Sequence, residues 1–248
     1  MKKIFLMLIV LAGVSLVWVK SAKSKDETPP GLEKKPPLEK QVFIHYRKGS
    51  GKGLGILKKP KPVGCYGFLA KGAMWKKLPV KYVIDPDNPN GLNQGFITQA
   101  ISAAAEEWDK YTRVELMDGS SIDENASWDS DAPDGRNEFV WENYPEQDVI
   151  AITTVWGYFS VPQWWREIVE FDVMFDTDYV WGNAAGNSAL MDLQNIATHE
   201  IGHGVGLADQ YDASCGEVTM FGYSTEGEIT KRDLAQPDIT GLRQLYGN

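Results

Sequence analysis

A short stretch near the end of the chain, HEIGHGVGLAD, constrains the fold more than any other part of the sequence. Two of the three histidines of the chain, His199 and His203, stand four residues apart and therefore lie on one face of a helix. Glu200 follows the first histidine directly. Gly206 lets the helix end in a left-handed turn, and Asp209 comes three residues later. The spacing predicts a helix whose end folds back towards its own histidines.

This set of residues matches the chemistry of a zinc hydrolase. Two imidazoles one helical turn apart can bind one Zn²⁺, and Asp209 is placed to be the third ligand. The fourth position is left for a zinc-bound water, with Glu200 as the general base and therefore the catalytic residue. A structural zinc site usually has four protein ligands. The pattern thus favours an enzyme over the alternative, an extracellular binding or adhesion module that retains a structural zinc.

The extended pattern resembles the metzincin peptidases, in which HExxHxxGxxH is followed by a turn that carries a methionine. Asp209 stands at the third ligand position, and Met220 in CGEVTMFGYS matches the methionine that packs below the metal. The similarity is to the matrixin branch and extends over residues 74–247, through LPVKYVID, EEWDKYT, EFDVMFDTD and DITGLRQLYG. It implies a secreted zinc endopeptidase, with Tyr223 lining the pocket for the side chain after the cleaved bond.

The resemblance also implies an α+β fold of the metzincin, or zincin-like, type. This fold has a twisted, mostly parallel five-stranded sheet with an antiparallel edge strand, two long helices, and a C-terminal helix after the methionine turn. Apolar periodicity predicts a strand over 78–85 and helices over 95–112, 189–207 and 236–247. A protein or peptide substrate is expected to lie extended along a strand edge near 148–156.

The two cysteines of the chain allow two interpretations. The cysteine motif of matrixin pro-segments is absent, and KPVGCYG around Cys65 only faintly resembles it. Cys65 either pairs with Cys215 in a disulfide, as an even pair outside the cell favours, or binds the zinc and keeps a zymogen inactive. The chain also lacks the further histidines of the matrixin structural zinc site. The remaining histidine, His45, is expected to lie in a basic leader, far from the motif.

Two acidic segments make calcium a second candidate cofactor beside zinc. Residues 129–135, DSDAPDG, and residues 170–178, EFDVMFDTD, gather the carboxylate oxygens that calcium prefers. Acidic loops that are merely solvated have the same composition, so both interpretations stay open.

The N-terminal part of the chain predicts export. Two lysines precede an apolar run over 4–19, which is short for a membrane span and typical of a signal peptide. We therefore expect a signal peptide, or a short anchor, over 1–22 and a basic, proline-rich linker or pro-segment over 23–62. The metallopeptidase catalytic domain is expected over 63–248. The product would be secreted, or bound to the cell surface if the apolar segment is not cleaved.

Charge is divided unevenly along the chain. Residues 1–62 contain 14 Lys and Arg against 4 Asp and Glu, whereas the remainder contains 11 against 30. The acidic part would repel phosphates, so nucleic acid is not an expected partner. The asymmetry either serves solubility or lets the leader dock on the acidic domain and mask it before processing. The protein is expected to be a monomer.

Overall fold

The computed structural model describes residues 36–52 and 64–248. The expected signal peptide over 1–22 lies outside these residues, as does much of the expected linker or pro-segment over 23–62. Among the described residues, no helix is both long enough and apolar enough to cross a lipid bilayer.

Ten strands and three α-helices make up the described fold. The strands are β1 (Glu39–Arg47), β2 (Met74–Trp75), β3 (Val80–Ile84), β4 (Met117–Ile122), β5 (Glu138–Glu142), β6 (Val149–Tyr158), β7 (Glu167–Asp176), β8 (Trp181–Gly182), β9 (Met191–Asp192) and β10 (Tyr223–Ser224).

The three helices begin where the sequence supplies capping groups or proline. They are α1 (Gln94–Asp109), α2 (Leu193–Gly204) and α3 (Gln236–Tyr246). The side chain of Asn93 accepts a hydrogen bond from a backbone N–H in the first turn of α1, and Asp192 does the same for α2. Helix α3 has a proline in its first turn, where the missing N–H costs nothing.

The main sheet has the strand order β10-β1-β6-β7-β5-β3-β4, with β2 paired to β7. Pairing is parallel between β4 and β3, between β3 and β5, and between β5 and β7. Strand β6 is antiparallel to β7. These five strands form the mostly parallel sheet with an antiparallel strand that the sequence predicts. Strand β6 is not an edge, however, because β1 pairs along its other side.

Strand β1 comes from the segment expected to be a linker or pro-segment. It runs antiparallel to β6 in a register from Glu39 opposite Gly157 to Tyr46 opposite Val149. It is also parallel to β10, where Tyr46 lies opposite Tyr223. The carboxylate of Glu39 accepts hydrogen bonds from two backbone N–H groups just beyond β6. Part of the expected linker or pro-segment is therefore a nine-residue strand of the main sheet.

Helix α2 lies in the core between α1 and the loop that contains Met220. The indole of Trp108 in α1 donates a hydrogen bond to the carbonyl of Thr198 at 2.8 Å. A Cβ at Gly202 would lie 2.2 Å from the sulfur of Met220 and 2.8 Å from Trp108. Only glycine fits there, so the close packing on both sides fixes the position of the helix.

The second helix is shorter than the expected range of 189–207. Its apolar pattern begins early because Met191 is buried, but Met191 and Asp192 are extended and pair with β8. At the other end, Gly206 adopts φ +103°, as the turn requires. A Cβ on Gly206 would also lie 2.5 Å from the carbonyl of Ala73, so the chain must turn here.

Candidate active site

Three side-chain atoms converge at the end of α2. The Nε2 atoms of His199 and His203 lie 3.2 Å apart. Oδ1 of Asp209 lies 3.2 Å from the first of these nitrogens and 3.4 Å from the second. Two histidines one turn apart and the turn at Gly206 bring these groups together, as the spacing predicts. This set could hold one metal ion.

The hydrogen bonds behind the rings set their tautomers. Nδ1 of His199 lies 2.7 Å from the carbonyl oxygen of Thr219, and Nδ1 of His203 lies 3.1 Å from that of Leu207. A carbonyl only accepts, so each Nδ1 carries the proton and each Nε2 presents a lone pair. Two lone pairs therefore face each other beside Oδ1 of Asp209, which has no hydrogen-bond partner among the described residues. A cation between them satisfies all three, and nitrogen and oxygen donors of this kind suit zinc.

The charges at this point are strongly coupled. Burial lowers the pKa of His199 to about 4. Burial also disfavours the protonated form of His203, but Asp209, Glu200 and the hydrogen bond to Leu207 together outweigh burial and raise the pKa of that ring. Burial alone would raise the pKa of Asp209, but the two rings hold it far below its ordinary value. The carboxylate is therefore ionised and directs its charge at the point where the lone pairs meet.

Glu200 is completely buried beside this point. Its Oε2 accepts a hydrogen bond from the hydroxyl of Thr153 at 2.6 Å, and its Oε1 lies 3.0 Å from Nδ1 of His45. Burial raises the pKa of Glu200 to about 7. The carboxylate is held between β6 on one side and β1 on the other.

Tyr211 is a member of the site that the sequence analysis missed. Its hydroxyl donates a hydrogen bond of 2.9 Å to Oδ2 of Asp209, which leaves Oδ1 to face the two histidines. Its ring also packs edge-on against Tyr223, with centroids 5.4 Å apart. A tyrosine two residues after a candidate ligand is the signal in the sequence, but nothing in the motif distinguishes it from other aromatic residues.

The loop over residues 218–222 passes below the metal-binding side of α2. Met220 is buried, and its sulfur lies against Gly202. The backbone N–H groups of Thr219 and Met220 donate to the carboxylate of Asp238 at 2.9 and 3.2 Å. Asp238 thereby holds the carbonyl of Thr219 in place for its contact with His199. Met220 thus packs against the helix that carries His199 and His203.

Comparison of the sequence with known protein families gives a match that includes all of these site residues except those of β1. The matrixin model matches residues 74–247, from β2 to the end of α3. The chain belongs to the matrixin family. This membership confirms the family and the fold that the sequence predicts, together with zinc as the cofactor of such a site.

Individual relatives of this matrixin are distant. Stromelysin-1 of Mus musculus is 25% identical over 189 residues, which are 75% of this chain and 35% of the relative. Matrix metalloproteinase-25 of Homo sapiens is 25% identical over 185 residues, 73% of this chain and 31% of the relative. Metalloendoproteinase 1 of Glycine max is 38% identical over 79 residues, 29% of this chain and 24% of the relative. The chain thus spans about a third of the length of the first two relatives.

The N-terminal strand of this matrixin covers the site. The ring of Phe43 stacks on His203 with centroids 3.9 Å apart, and the ring of His45 lies 4.0 Å from that of His199. The expectation that His45 lies far from the motif is wrong. Strand alternation puts residues 43 and 45 on the same face of β1, and pairing with β6 turns that face towards α2.

His45 is buried among polar groups. Burial lowers the pKa of His45 well below its ordinary value, and the positive charge of Lys231 lowers it further. The ring is therefore neutral. Its Nε2 lies 3.0 Å from the hydroxyl oxygen of Ser224, and Nδ1 faces Glu200. Tyr223, the residue expected to line a substrate pocket, precedes Ser224 and donates its hydroxyl to the carbonyl of Lys52.

The cysteines are joined to each other. Cys65 and Cys215 form a disulfide across 150 residues of sequence. Of the two interpretations of Cys65, the structure therefore contains the disulfide and not a thiolate aimed at the metal ligands. The bond ties the chain after residue 64 to the loop that leads to Met220.

The two acidic segments meet on the sheet. Carboxylate oxygens of Asp129, Glu170 and Asp172 lie within 4.8 Å of one another. Oε1 of Glu170 and Oδ2 of Asp172 are buried and have no hydrogen-bond partner among the described residues. Burial raises the pKa of Glu170 to about 7, and burial together with Glu170 raises that of Asp172 to about 9. The cluster therefore has the oxygen donors and the excess negative charge that suit calcium.

Proposed function

We propose that this chain is a zinc-dependent endopeptidase that acts outside the cytoplasm and is made in a latent form. The convergence of His199, His203 and Asp209 on one point, with Glu200 beside it, is the observation that carries the proposal. The alternative, a binding module with a structural zinc, has no observation in its favour. It would not need a buried carboxylate next to a site of only three protein ligands.

The three converging side chains would hold the zinc ion. A zinc ion bound there supplies Lewis acidity, which polarises the carbonyl of the substrate and makes water a stronger acid. Thr219 and Leu207 orient the two imidazoles through their carbonyl oxygens, and Tyr211 orients Asp209. These contacts fix the donor atoms before the metal arrives.

Glu200 would move the proton during peptide hydrolysis. Its carboxylate accepts a proton from the attacking water and donates it to the amine that leaves. Thr153 holds one oxygen of Glu200, so the other oxygen points towards the cleft where His45 lies. Thr153 is thus a positioning residue and Glu200 the catalytic one.

The substrate would lie where β1 lies in this structure. Strand β6 offers the backbone N–H and C=O groups of its outer side, and β1 uses them from Glu39 to Tyr46. A substrate in the same place adds a strand to the sheet and brings its backbone beside the metal. Because β1 fills the cleft, we infer that the full chain is latent. Strand β1 would then be the part of the basic leader that masks the catalytic domain before processing.

A cut between β1 and Cys65 would release the enzyme. Strand β1 ends at residue 47, and the disulfide begins at residue 65. Cleavage between these positions separates β1 from the domain but leaves the disulfide and everything after it connected. The disulfide also supports an oxidising, extracytoplasmic location. Calcium would bind at Asp129, Glu170 and Asp172.

The test compares two forms of the same protein. The cleavable chain is the full chain with the recognition site of a specific protease introduced within residues 53–63. We expect the cleavable chain to hydrolyse an unfolded protein only after the cut, to lose this activity with a chelator, and to regain it with zinc. Absence of cleavage after the cut, with zinc bound and the domain folded, would contradict the proposal. Equal activity before and after the cut would contradict latency alone.

A further inference from the structure

A buried ammonium group lies beside the cleft, and the proposed mechanism does not use it. The side chain of Lys231 is 2% exposed. Its Nζ donates to the carbonyl oxygens of Phe221 at 2.6 Å and Tyr223 at 2.8 Å, and to the hydroxyl of Ser224 at 2.7 Å. Burial lowers the pKa of Lys231 to about 8, so the Lys231 side chain is mostly charged at neutral pH. Glu228, at 3.8 Å, is too far away for a direct hydrogen bond.

The backbone at Lys231 is attached to helix α2. The backbone N–H of Lys231 donates to the side chain of Asn195 at 2.7 Å, and Asn195 is buried in the first turn of the helix. The helix that carries His199 therefore also holds Lys231. The distance between the ammonium group and the metal ligands is thus set by one rigid element.

His45 shows what kind of group this region accepts. Its Nε2 lies 3.0 Å from Oγ of Ser224 and 3.2 Å from Nζ of Lys231. The three N–H groups of Lys231 already have acceptors, and Nε2 is closer to the Ser224 hydroxyl than its other acceptor, Oε1 of Glu228 at 3.5 Å. The hydroxyl therefore donates to Nε2. The other nitrogen, Nδ1, then carries the proton and donates to Glu200. The cavity that the His45 ring fills, here called the His45 pocket, therefore requires a hydrogen-bond acceptor at its far end.

A substrate side chain would enter the His45 pocket when β1 leaves. The backbone of β1 has the pairing proposed for the substrate, antiparallel to β6 and parallel to β10. The His45 ring packs on His199, beside the metal-binding point. The family resemblance places the side chain after the cleaved bond next to Tyr223, and Tyr223 and Ser224 form β10. The pocket for that side chain thus ends at Ser224 and Lys231.

We propose that the His45 pocket selects substrates with an acidic side chain, glutamate in particular, directly after the cleaved bond. A glutamate carboxylate lies about as many bonds from the backbone as Nε2 of a histidine does. It would accept the hydrogen bond from Ser224 and place its negative charge beside Lys231. A leucine would leave the hydroxyl only the more distant Oε1 of Glu228, at 3.5 Å, as an acceptor, and a lysine would be repelled. This inference rests on the proposed function and names its substrate class.

The first experiment reads the sequence of the products. The cleavable chain, cut and loaded with zinc, is incubated with peptides from unfolded proteins, and the new N-termini are identified by mass spectrometry. We expect Glu and Asp to be enriched after the cut by about tenfold or more over Leu, because a site built for a polar group rejects apolar ones. In Lys231→Met the acidic preference should disappear, whereas Glu228→Gln, which removes a neighbouring charge but keeps the ammonium group, should retain it. Ser224→Ala is a smaller change and should reduce the preference.

The second experiment measures binding without catalysis. Labelled peptides that copy residues 36–50 and carry His45→Glu, His45→Gln or His45→Leu are bound to the cut, zinc-loaded Glu200→Ala protein. We expect the Glu peptide to bind about tenfold more tightly than the Leu peptide, with the difference lost in Lys231→Met. Equal binding of the three peptides, or cleavage with no acidic preference, overturns this proposal. Absence of cleavage with the expected order of binding overturns the proposed function but supports the pocket.

Discussion

The ring of Phe43 lies 3.9 Å from the ring of His203, with only 9° between their planes. A residue from the N-terminal strand thus covers one of the candidate metal ligands. The same strand inserts His45 between Glu200 and Lys231. The candidate metal-binding point and Glu200 beside it are therefore both blocked by one continuous strand, without a cysteine among the blocking residues.

Phe43→Ala should weaken this block. The variant loses the stacking contact, and we expect the uncut chain to become about tenfold more active, which corresponds to a loss of about 1.4 kcal/mol in the binding of β1. The measurement is hydrolysis of an unfolded protein by the uncut, zinc-loaded chain. Val42→Ala is the matched control, because Val42 is in the same strand but its side chain is 44% exposed. An equal rise in both variants would show that the stacking contact is not what holds the strand.

Glu200→Gln should abolish most of the activity without unfolding the domain. The amide cannot accept the proton of the attacking water, so we expect the rate of the cut chain to fall by about 10²- to 10⁴-fold. Thr153→Val removes only the hydrogen bond that positions Glu200 and should give a smaller loss. Zinc content and the melting temperature are measured on the same samples. A Glu200→Gln protein that binds zinc and retains full activity would exclude Glu200 as the general base.

Asp209→His should move the pH optimum of hydrolysis to lower pH. A carboxylate ligand leaves the zinc site with less positive charge than a third imidazole would, so water at the site is acidified less. Replacing the carboxylate restores that charge. The measurement is the pH profile of kcat/KM for both cut proteins with zinc in excess. No shift, or a shift to higher pH, would contradict the electrostatic argument.

Calcium should change the pH dependence of stability. Burial raises the pKa of Glu170 and Asp172 in the folded protein to about 7 and about 9, above the value of about 4 in an unfolded chain. At these two positions the metal-free folded state binds more protons than the unfolded chain. Their contribution to stability is therefore fully present below about pH 4 and is lost as the pH rises towards about 9. Added calcium should remove most of this decrease. Thermal unfolding against pH, with and without calcium, tests it.

Asp172→Asn is the matching variant for the calcium site. With a pKa of about 9 in the folded state, Asp172 must take up a proton on folding at pH 8, whereas the amide needs none. Without calcium the variant should therefore be more stable than the wild type at this pH. It should also gain less from calcium. If the two proteins gain equally from calcium, the ion binds elsewhere.

The chemistry of the site could be predicted because it is local in sequence. His199, His203, Gly206 and Asp209 lie within eleven residues, and helix geometry together with one left-handed turn determines how they meet. The five-stranded sheet followed from the family resemblance. The limits of α2 were less clear, because the buried Met191 continues the apolar pattern of the helix while belonging to a strand.

The covering strand could not be placed from the sequence in the same way. Phe43 and His45 alternate with the outward residues of β1, which predicts a strand but does not name its neighbour. His45 and Glu200 are 155 residues apart, and pairing at such distances depends on the whole sheet. Lys231 could not be placed either, since a lysine followed by an arginine in a charged segment is typical of a solvated surface, whereas Lys231 is buried. The acidic segments suggested calcium, but only the fold shows which carboxylates meet.

Strand β6 is buried at every residue from Val149 to Gly157. Its outer row of backbone groups is covered only because β1 is present. Once β1 is removed, a long apolar edge is exposed, and such an edge pairs readily with any extended chain, including another copy of the same protein. The nine residues of β1, which we propose keep the enzyme latent, would therefore also protect it from aggregation. We expect the uncut chain to stay soluble at high concentration and the cut chain to lose activity with time as it aggregates.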